Sequence, residues 1–404
     1  MAEWLSGCTE HVESTGVIRL TNLELSKVGL IRVGKTLVTV ISSLLLVFQW
    51  VLGASALTAE TEYRVAFGSC LKQDDAMPVW SEIESRAPDM FIFGGDNVYA
   101  DIGAYKLMRS PKNFQKAYQN LASNPQFVSF QSALEARSSV VMATWDDHDY
   151  GLNDGGEENE HKLAAKKAFI DFFSPTGLAL ASVDEPGVYG SSIQTVGDLR
   201  VQVIVLDTRS FRSAFEKRKN KTLCSRGGWE FRSDPDATVL GQKQWTWFEQ
   251  QLEQSADLRL IVSSIQVLPT EQCFEKWANF PAEREKLLTL IAEKTGGGVI
   301  LLSGDRHLSE ISVLERTDIG YPLYEVTSSG LNNALKGRFD VAEEPNSLRA
   351  LPDNVSENGF GEIAIAPHNK SDTQVEMRLF NEAGALLQRL SVPLSGLQKV
   401  VAGD

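Results

Sequence analysis

Five short apolar runs in this sequence each end at residues that can bind a metal ion or a phosphate group. The run at 90–93 leads into GGDNVYAD at 94–101, which carries carboxyl and phenol oxygens soon after two glycines. The same order recurs at GSC (68–70), WDDHD (145–149), DTR (207–209) and GDRH (304–307). Loops at the carboxyl ends of strands in an open α/β sheet meet at one crevice. The pattern therefore predicts an α/β fold in which these five loops build one metal site.

Strand and helix patterns are mixed along residues 61–396, which we interpret as a single α/β domain. Alternating or continuously apolar stretches predict strands at 63–67, 90–93, 139–144, 199–206, 259–263 and 299–302. Apolar residues at helical spacing predict helices at 78–86, 112–122, 125–135, 157–173, 240–254 and 282–294. Strands at 375–380 and 386–392 flank the turn at 381–384 and predict a closing hairpin.

The N-terminal region has the pattern of a targeting segment. Residues 36–59 contain no charged side chain, and basic residues precede them. We divide the region into an extension at 1–36 and an apolar segment at 37–56, which ends in a small-residue cleavage site, Ala-Ser-Ala. That segment is a signal peptide or, since it is long enough to span a bilayer, a signal anchor. Both interpretations place the domain outside the cytosol, either secreted or attached to a membrane through 37–56.

Cysteine usage fits an oxidising compartment. Three cysteines follow the targeting segment, and we predict a disulfide between Cys224 and Cys273 that leaves Cys70 as a thiol ligand. Three N-x-S/T sequons predict a glycoprotein. They begin at Asn220, Asn354 and Asn369.

The charge balance argues against a nucleic-acid partner. The net charge is −14 and no block of Lys or Arg is present, whereas binding to a nucleic-acid backbone depends on basic patches. A protein this acidic must neutralise an anionic substrate locally, with metal ions or a few arginines.

The donor atoms at the strand ends favour hard cations. Carboxylate and carbonyl oxygens suit Ca²⁺, Mg²⁺ or Mn²⁺, and a phenolate can hold Fe³⁺. Only five histidines occur in the chain, so an imidazole-rich zinc pair is hard to build. Two ions about 3.5–4 Å apart can clamp the attacking and leaving oxygens of an in-line displacement. The carboxylate donors are Asp96, Asp101, Asp146, Asp147, Asp149 and Asp305.

The motifs together resemble those of the PhoD-type alkaline phosphatases, within the calcineurin-like metallophosphoesterases. The resemblance runs in order from GSC and GDNVYAD through WDDHD with Asn153, LDTR and LGQKQWTWFEQQL (240–252) to LSGDRH, with GFGEI at 359–363 continuing it. It implies a four-layer α/β/β/α sandwich and hydrolysis of phosphomonoesters or phosphodiesters. It also implies Fe³⁺ with one or two Ca²⁺ ions, for which Mn²⁺, Mg²⁺ or Zn²⁺ are candidate substitutes.

Carried over to the matching positions, the resemblance assigns roles to individual residues. Asp96 bridges the two metals and takes part in catalysis, and Arg209 binds the phosphoryl group. His148 stabilises the transition state or protonates the leaving group. A shift of one position in the alignment would make Asp146 the ligand instead of Asp147. The ferric ligands are Cys70, Asp96, Tyr99, Asp305 and His307, and the ligands of the second metal are Asp147 and Asn153.

The leading hypothesis is a monomeric phosphoester hydrolase of the alkaline phosphatase type, in which a metal-bridging hydroxide attacks phosphorus. Its substrate is a phosphorylated small molecule or a phosphorylated lipid or polymer. One alternative is a phosphodiesterase acting on lipid or surface-polymer diesters. Another, from a different class, is a non-catalytic surface protein that binds metal and phosphate. Asp101 receives no role from the resemblance and is interpreted as support for its loop.

Overall fold

The computed structural model describes residues 62–108, 112–178, 180, 186–219, 228–336, 344–367 and 373–399. The targeting segment predicted at 37–56 lies outside these ranges, as do Cys224, Asn220 and Asn369. Within the described ranges, no helix is both long enough and apolar enough to cross a bilayer.

The first of two sheets contains the strands from both ends of the domain. Its central strand β1 pairs in parallel with β2, which pairs in parallel with β3, and the other side is antiparallel. The strand order is β12-β11-β10-β1-β2-β3. The bounds are β1 Tyr63–Gly68, β2 Met90–Gly94, β3 Val140–Thr144, β10 Gly359–Ala366, β11 Gln374–Asn381 and β12 Leu386–Pro393.

The second sheet has a parallel centre with one antiparallel strand at each edge. Its order is β4-β5-β6-β7-β9-β8. Strands β5, β6, β7 and β9 run parallel to one another. The bounds are β4 Gly190–Val196, β5 Leu199–Val205, β6 Leu258–Val262, β7 Val299–Ser303, β8 Ser309–Leu314 and β9 Leu323–Ser328. Parallel strands in both sheets bring several strand ends to the same edge of the molecule.

Helices complete a four-layer sandwich. An aromatic-rich layer formed by α1, α3, α4 and α6 packs on the first sheet, and α7 and α8 belong to the core that includes the second sheet. Helix α5 is a single turn inside the WDDHD motif. The bounds are α1 Val79–Ser85, α2 Gly103–Met108, α3 Lys112–Ser123, α4 Pro125–Arg137, α5 Asp147–Tyr150, α6 Lys162–Phe173, α7 Gly241–Leu252 and α8 Pro281–Lys294.

Strand β2 shows how the layers are held together. Its side chains alternate between the two faces of the sheet, as the strand period requires. Phe91 and Phe93 enter the helical layer, where Phe91 meets Trp80 edge-on with ring centroids 5.6 Å apart. Met90 and Ile92 enter the core shared with the second sheet. Because β2 is packed on both faces, the GGDNVYAD loop that follows it begins at a firmly held position.

The predicted fold class is confirmed, and most predicted elements lie within a few residues of the observed ones, including the closing hairpin. One helix was predicted too long: α6 begins at Lys162 rather than at Glu157. Asn159 explains the later start, because its side chain donates to the Tyr150 carbonyl (2.5 Å) and accepts from the His161 N–H (3.0 Å). Strands β4, β8, β9 and β10 were not predicted as strands.

Candidate active site

Three of the five loops predicted to converge, GGDNVYAD, WDDHD and GDRH, line a cavity of about 530 Å³. Six of the site residues predicted from the sequence line it. The cavity volume falls in the range of about 300–1,000 Å³ that is usual for organic ligands. Those six residues are Asp96, Asp147, His148, Asn153, Asp305 and His307.

Several site residues adopt left-handed backbone conformations that only glycine adopts without cost. The φ angles of Cys70, Asp96, Asp305 and His307 are 60°, 52°, 68° and 55°. Such conformations cluster at functional sites, where the surrounding structure compensates for their cost. Gly95, at φ 105°, is required for a second reason: a Cβ there would lie 2.7 Å from Cβ of Asp146. Gly95 thus lets the GGDNVYAD and WDDHD loops approach each other.

The buried Cys70 thiol lies among polar partners at the end of β1. Its Sγ is 3.1 Å from Ser329 Oγ and 3.6 Å from Asp96 Oδ2. Burial alone would raise the pKa of Cys70, but the charge and hydrogen bond of His307 and the hydroxyl of Ser329 lower it to about 6. A thiol held in this way is poised to become a thiolate, the form that binds metals.

His307 is oriented by the backbone around it. Its Nδ1 lies 2.5 Å from the Asn333 carbonyl oxygen, and its own N–H donates to Ser329 Oγ at 2.6 Å. Burial lowers the pKa of His307, but the Cys70 thiolate beside it more than offsets this and raises it. With Nδ1 donating to a carbonyl, Nε2 is left as the ligand nitrogen, an arrangement typical of metal-binding histidines.

Tyr99 is buried beside the same residues. Its hydroxyl oxygen accepts a hydrogen bond from Asn333 Nδ2 at 2.9 Å, and its ring lies 4.1 Å from the His148 ring. Burial and the charge of Asp96 raise the pKa of Tyr99 well above its usual range. A cation next to the phenol would reverse that effect and favour the phenolate.

The carboxylates form an acidic cluster whose charges oppose one another. Burial and the Asp147 charge raise the pKa of Asp96 well above its usual range, and burial with the charge of Glu275 does the same for Asp305. Two groups of donors bring their atoms within 4.8 Å of one another. They are Asp96, Asp147 and His148, and Asp146, Asp147, Glu275 and Asp305.

The acidic cluster fits a bound cation. Asp146 Oδ2 is buried and has no hydrogen-bond partner among the described residues, a situation that costs free energy unless an ion or another donor satisfies it. Asp147 takes part in both donor groups, whereas Asp146 Oδ1 already accepts from Arg209 and Ser264 at 2.6 Å each. Asp147 also lines the cavity. Asp147 thus remains the predicted ligand, and Asp146, whose Oδ2 has no partner among the described residues, stays a candidate beside it.

Asp149, the last acid of WDDHD, has a structural role. It accepts hydrogen bonds from the backbone N–H groups of Asn97 (2.9 Å) and Asp146 (3.0 Å), and from the Tyr118 hydroxyl (2.9 Å). Burial nevertheless raises the pKa of Asp149 to about 6. This carboxylate joins the GDNVYAD and WDDHD loops.

His148 forms a dyad with Asp101. Its Nδ1 lies 2.6 Å from Asp101 Oδ1, and its backbone N–H donates to Asp96 Oδ1 at 3.1 Å. Burial lowers the pKa of His148, but the charge of Asp147 and the bond to Asp101 raise it to about 9. The dyad fixes the ring so that Nε2 is the nitrogen available for chemistry.

Arg209 does not lie where the sequence analysis expected it. It is fully buried and forms a bidentate ion pair with Glu275, at 2.7 and 2.6 Å. Its Nε donates to Asp146 Oδ1 at 2.6 Å, and it does not line the cavity. This geometry argues against a direct contact between Arg209 and phosphate. The arginine instead holds two buried carboxylates in place.

Several residues of the site were not singled out from the sequence. Glu275 and Asp154 line the cavity, and the Asp154 N–H donates to Asp147 Oδ2 at 2.7 Å. Burial and the Glu275 charge raise the pKa of Asp154 to about 8. Asp154 directly follows Asn153, a predicted metal ligand, so its position in the sequence could have identified it as a site residue. Glu275 follows no strand, and no sequence pattern marked it.

Comparison with known proteins gives three consistent findings. A family model described as PhoD-like phosphatase matches residues 65–360. Alkaline phosphatase D of Bacillus subtilis (strain 168) is 25% identical over 272 residues, which cover 61% of this chain and 46% of that protein, so the chain spans about half the length of this relative. A solved structure of PhoD superposes with a TM-score of 0.56 at 18% identity, covering 85% of this chain and 72% of that one. The last finding is a likeness of fold.

Proposed function

Because this chain belongs to the PhoD-like phosphatase family, we propose that it is a metal-dependent hydrolase of phosphate esters that acts through the cavity described above. One observation carries the proposal. The buried carboxylates of Asp96 and Asp147 and the partly buried carboxylate of Asp305 line one cavity, with a thiol and two imidazoles close by. Such a concentration of negative charge costs free energy unless cations offset it, and those cations can hold a phosphate.

The donor types support two different ions. The thiol of Cys70, the phenol of Tyr99 and the imidazole of His307 suit Fe³⁺, with Asp305 beside them. Asp147 and Asn153 offer only oxygen ligands of the kind that Ca²⁺ prefers, and Mn²⁺, Mg²⁺ or Zn²⁺ are candidate substitutes. Asp96 is proposed to contact both ions. When bound, the ions would acidify water and offset charge on the phosphoryl oxygens.

His148 is proposed to deliver a proton to the leaving oxygen. Asp101 accepts from Nδ1 and so aims Nε2 away from itself, and the Tyr99 ring fixes the plane of the imidazole. In the imidazolium form Nε2 carries the proton that the leaving alkoxide needs. Asp101 acts through His148 and is therefore a positioning residue.

We further propose that the domain works outside the cytosol as a secreted or membrane-anchored monomer. Cys273 is disulfide-bonded, and disulfides persist mainly in oxidising compartments. Cys224, its predicted partner, lies outside the described residues. The apolar segment at 37–56 supports export, as a signal peptide or as an anchor.

The test is hydrolysis by purified protein loaded with iron and calcium. We expect turnover of p-nitrophenyl phosphate or its bis-ester, and their ratio decides between monoester and diester preference. Asp96→Asn should abolish it. A visible absorption band would report thiolate or phenolate bound to Fe³⁺, and elemental analysis would give the metal content. Full metal occupancy without turnover of either ester would overturn the proposal in favour of a non-catalytic binding protein.

A further inference from the structure

A second cavity adjoins the one that holds the acidic cluster, and we call it the side pocket. Its volume is about 580 Å³, again in the range of about 300–1,000 Å³ that is usual for organic ligands. Asn153, proposed above to bind the second metal, lines both cavities. The two cavities therefore meet at one residue, and an ester bound at the metal site can extend its organic group past Asn153 into the side pocket.

Apolar side chains from three segments line the side pocket. Ile102 follows the GGDNVYAD loop, Leu152 follows helix α5, and Phe114 comes from α3. The exposed fractions of Ile102 and Leu152 are 36% and 40%. Single exposed apolar residues are ordinary on protein surfaces. Two of them that line the same concave pocket, beside a candidate metal site, point instead to a ligand that covers them.

The walls of the side pocket are held by contacts within the protein. Gly151 ends α5 at φ 88°, and a Cβ there would lie 2.5 Å from two ring carbons of Phe114. The Phe114 ring therefore packs directly on the backbone that leads to the exposed leucine. On the other side, the Ala100 N–H donates to the His148 carbonyl at 3.2 Å and holds the segment before Ile102. A pocket formed in advance loses little free energy to rearrangement when it binds a ligand.

The charges of the side pocket do not favour an anionic ligand. Its described lining contains no Lys or Arg. The two lining residues that can carry charge near neutral pH are Asp101 and His161. Asp101 Oδ1 lies 2.6 Å from His148 Nδ1, so this carboxylate belongs to the dyad, and His161 is exposed to solvent.

The amides that line the side pocket are used by the protein itself. Asn113 Nδ2 donates to the Tyr105 carbonyl at 2.5 Å, and Asn159 Nδ2 donates to the Tyr150 carbonyl at 2.5 Å. Asn113 Oδ1 has no hydrogen-bond partner among the described residues, but this atom is buried. What remains for a ligand is mainly apolar surface.

We propose that the side pocket binds the hydrocarbon chain of an aliphatic alcohol that is esterified to phosphate, as in lipid phosphates. This assignment of the substrate class rests on the phosphoester hydrolysis proposed above. Transfer of each methylene group from water into an apolar pocket is favourable. Binding energy gained far from phosphorus can lower the barrier to reaction. Phosphoesters of long aliphatic alcohols are therefore the expected substrates, in preference to those of polar alcohols.

A series of alkylphosphonates tests the proposal, because their P–C bond is not hydrolysed. Calorimetry would measure the dissociation constants of ethyl-, butyl- and hexylphosphonate with the protein loaded with iron and calcium. We expect each added methylene to strengthen binding about twofold, as for a group buried over about half its surface, so that hexylphosphonate binds about 16-fold tighter than ethylphosphonate. The heat capacity change of binding should become more negative along the series.

Substitutions at the exposed wall residues locate the effect. Leu152→Ser should reduce the advantage of hexylphosphonate over ethylphosphonate to about fourfold, since part of the apolar surface is lost. Ile102→Ser, in a different loop, should reduce it similarly and serves if Leu152→Ser fails to fold. Val128→Ser is the matched control, because Val128 is an apolar residue of α4 with 44% exposure that lines neither cavity. It should keep the wild-type advantage.

A matched pair of ligands tests the chemistry of the side pocket. Butylphosphonate and 3-aminopropylphosphonate have chains of the same length, and the second carries an ammonium group in place of the terminal methyl. We expect butylphosphonate to bind more tightly, because an ammonium group loses its hydration in an apolar pocket. Tighter binding of 3-aminopropylphosphonate would show selection of a cation and would overturn the proposal.

The outcomes separate the substrate class from the proposed function. If p-nitrophenyl phosphate or its bis-ester is hydrolysed but the phosphonates do not bind, or bind equally, the assignment of the side pocket is overturned. It is likewise overturned if Leu152→Ser and Ile102→Ser both keep the full advantage of the longer chain. If affinity rises with chain length but neither ester is hydrolysed, the proposed function fails while the apolar binding site stands.

Discussion

Asp101 shows how a single carboxylate gains its role only through the fold. In the sequence it is the last acid of GGDNVYAD, equivalent in kind to Asp96. In the structure its Oδ1 lies 2.6 Å from His148 Nδ1. Asp101 therefore binds a residue of the WDDHD loop rather than supporting its own loop. The side chain fixes which imidazole nitrogen faces the substrate.

We expect Asp101→Asn to lower kcat about 100-fold, because the imidazole loses the carboxylate that orients it for proton transfer. KM should change by much less, since Asp101 contacts no part of the substrate. Steady-state kinetics with glycerol phosphate, whose alkoxide leaving group needs a proton, would measure both constants. Asp101→Glu should recover part of kcat, and the exposed Asp75→Asn serves as a control. A loss confined to KM would contradict the positioning role.

Arg209 shows the opposite case, in which a residue with an expected contact to substrate supports the structure instead. Its donors are used by Glu275 and Asp146, and its side chain has no exposure. The position of DTR at a strand end correctly predicted that Arg209 lies near the site. That position carries no information on whether the guanidinium points into the cavity or towards buried carboxylates.

Removal of Arg209 should destabilise the protein. Arg209→Ala would leave Glu275 and Asp146 buried without their counter-charge, a change that typically costs about 3–5 kcal/mol in the free energy of unfolding. Urea unfolding of the purified variant would measure it. Arg218→Gln, an arginine change within the cavity, should cost far less. A stable Arg209→Ala protein with a raised KM would restore the phosphate-binding assignment.

The same reasoning explains which site residues the sequence could reveal. Asp96, Asp147 and Asp305 follow apolar strands directly, and parallel strands bring their ends together. Glu275, Lys217 and Trp229 also line the cavity but come from irregular segments, whose course depends on packing far away in the chain. Hydrophobic periodicity carries no information about such segments.

At the scale of elements, two of the four unpredicted strands share a physical cause. Strands β8 and β9 contain buried glutamates, which interrupt the apolar pattern that marks a strand. Glu325 is buried because the backbone N–H groups of Val267 and Leu268 donate to it at 2.9 and 2.6 Å. Glu310 is buried because Arg349 donates to it at 2.7 Å. These partners are distant in sequence, so periodicity alone could not have found the strands.

An ion-pair network joins β10 and β11 to the C-terminal end of α1. Glu362, with a fully buried side chain, accepts from Arg86 at 2.7 Å and from Arg378 at 2.9 Å. Arg378 also donates to Glu62 at 2.7 Å, just before β1. The hydrogen bond from Arg378 lowers the pKa of Glu62 to about 2. The network thus links elements from both ends of the domain.

Acid should weaken this network in a predictable window. The pKa of Glu62 is lower in the folded chain than in the unfolded chain, so its contribution is complete above about pH 4.5 and is lost as the pH falls towards 2. We expect Glu62→Gln to reduce the loss of unfolding free energy between pH 5 and pH 3. The reduction should be about 1 kcal/mol at most, because solvent screens this partly exposed pair.

Urea titrations at the two pH values would measure the difference. Glu135→Gln, an exposed helical position, should show the wild-type pH dependence. Equal pH dependence in Glu62→Gln and in the wild type would mean that the Glu62–Arg378 pair does not contribute.

At the scale of the whole molecule, the acidic cluster makes stability depend on bound metal. The chain carries a net charge of −14, and its densest buried acids lie at the junction of the two sheets' strand ends. Burial raises the pKa of Asp96 and Asp305 well above the usual range, and that of Asp149 to about 6. The fold therefore contains a site that favours unfolding when its carboxylates ionise without cations.

Metal removal should make the protein less stable as the pH rises. These carboxyls have a higher pKa in the folded chain than in the unfolded chain, so their contribution to the stability of the metal-free protein is most favourable below about pH 4 and is lost as the pH rises through the raised values. Bound cations cancel that loss, and at 1,000 times the dissociation constant they add about 4 kcal/mol. Thermal unfolding between pH 5 and 8.5, with and without metal, would show two curves that diverge at alkaline pH.

The variant Asp96→Asn tests this prediction most directly, because the substitution removes one repelling charge and one proposed metal ligand at the same time. At pH 8 the metal-free variant should be more stable than the metal-free wild type, since burying an amide there costs less than burying another carboxylate. With metal added the order should reverse, because the wild type gains more from binding. Elemental analysis would confirm the metal content of each sample. If Asp96→Asn is less stable than the wild type in both states, Asp96 supports the fold and not a metal.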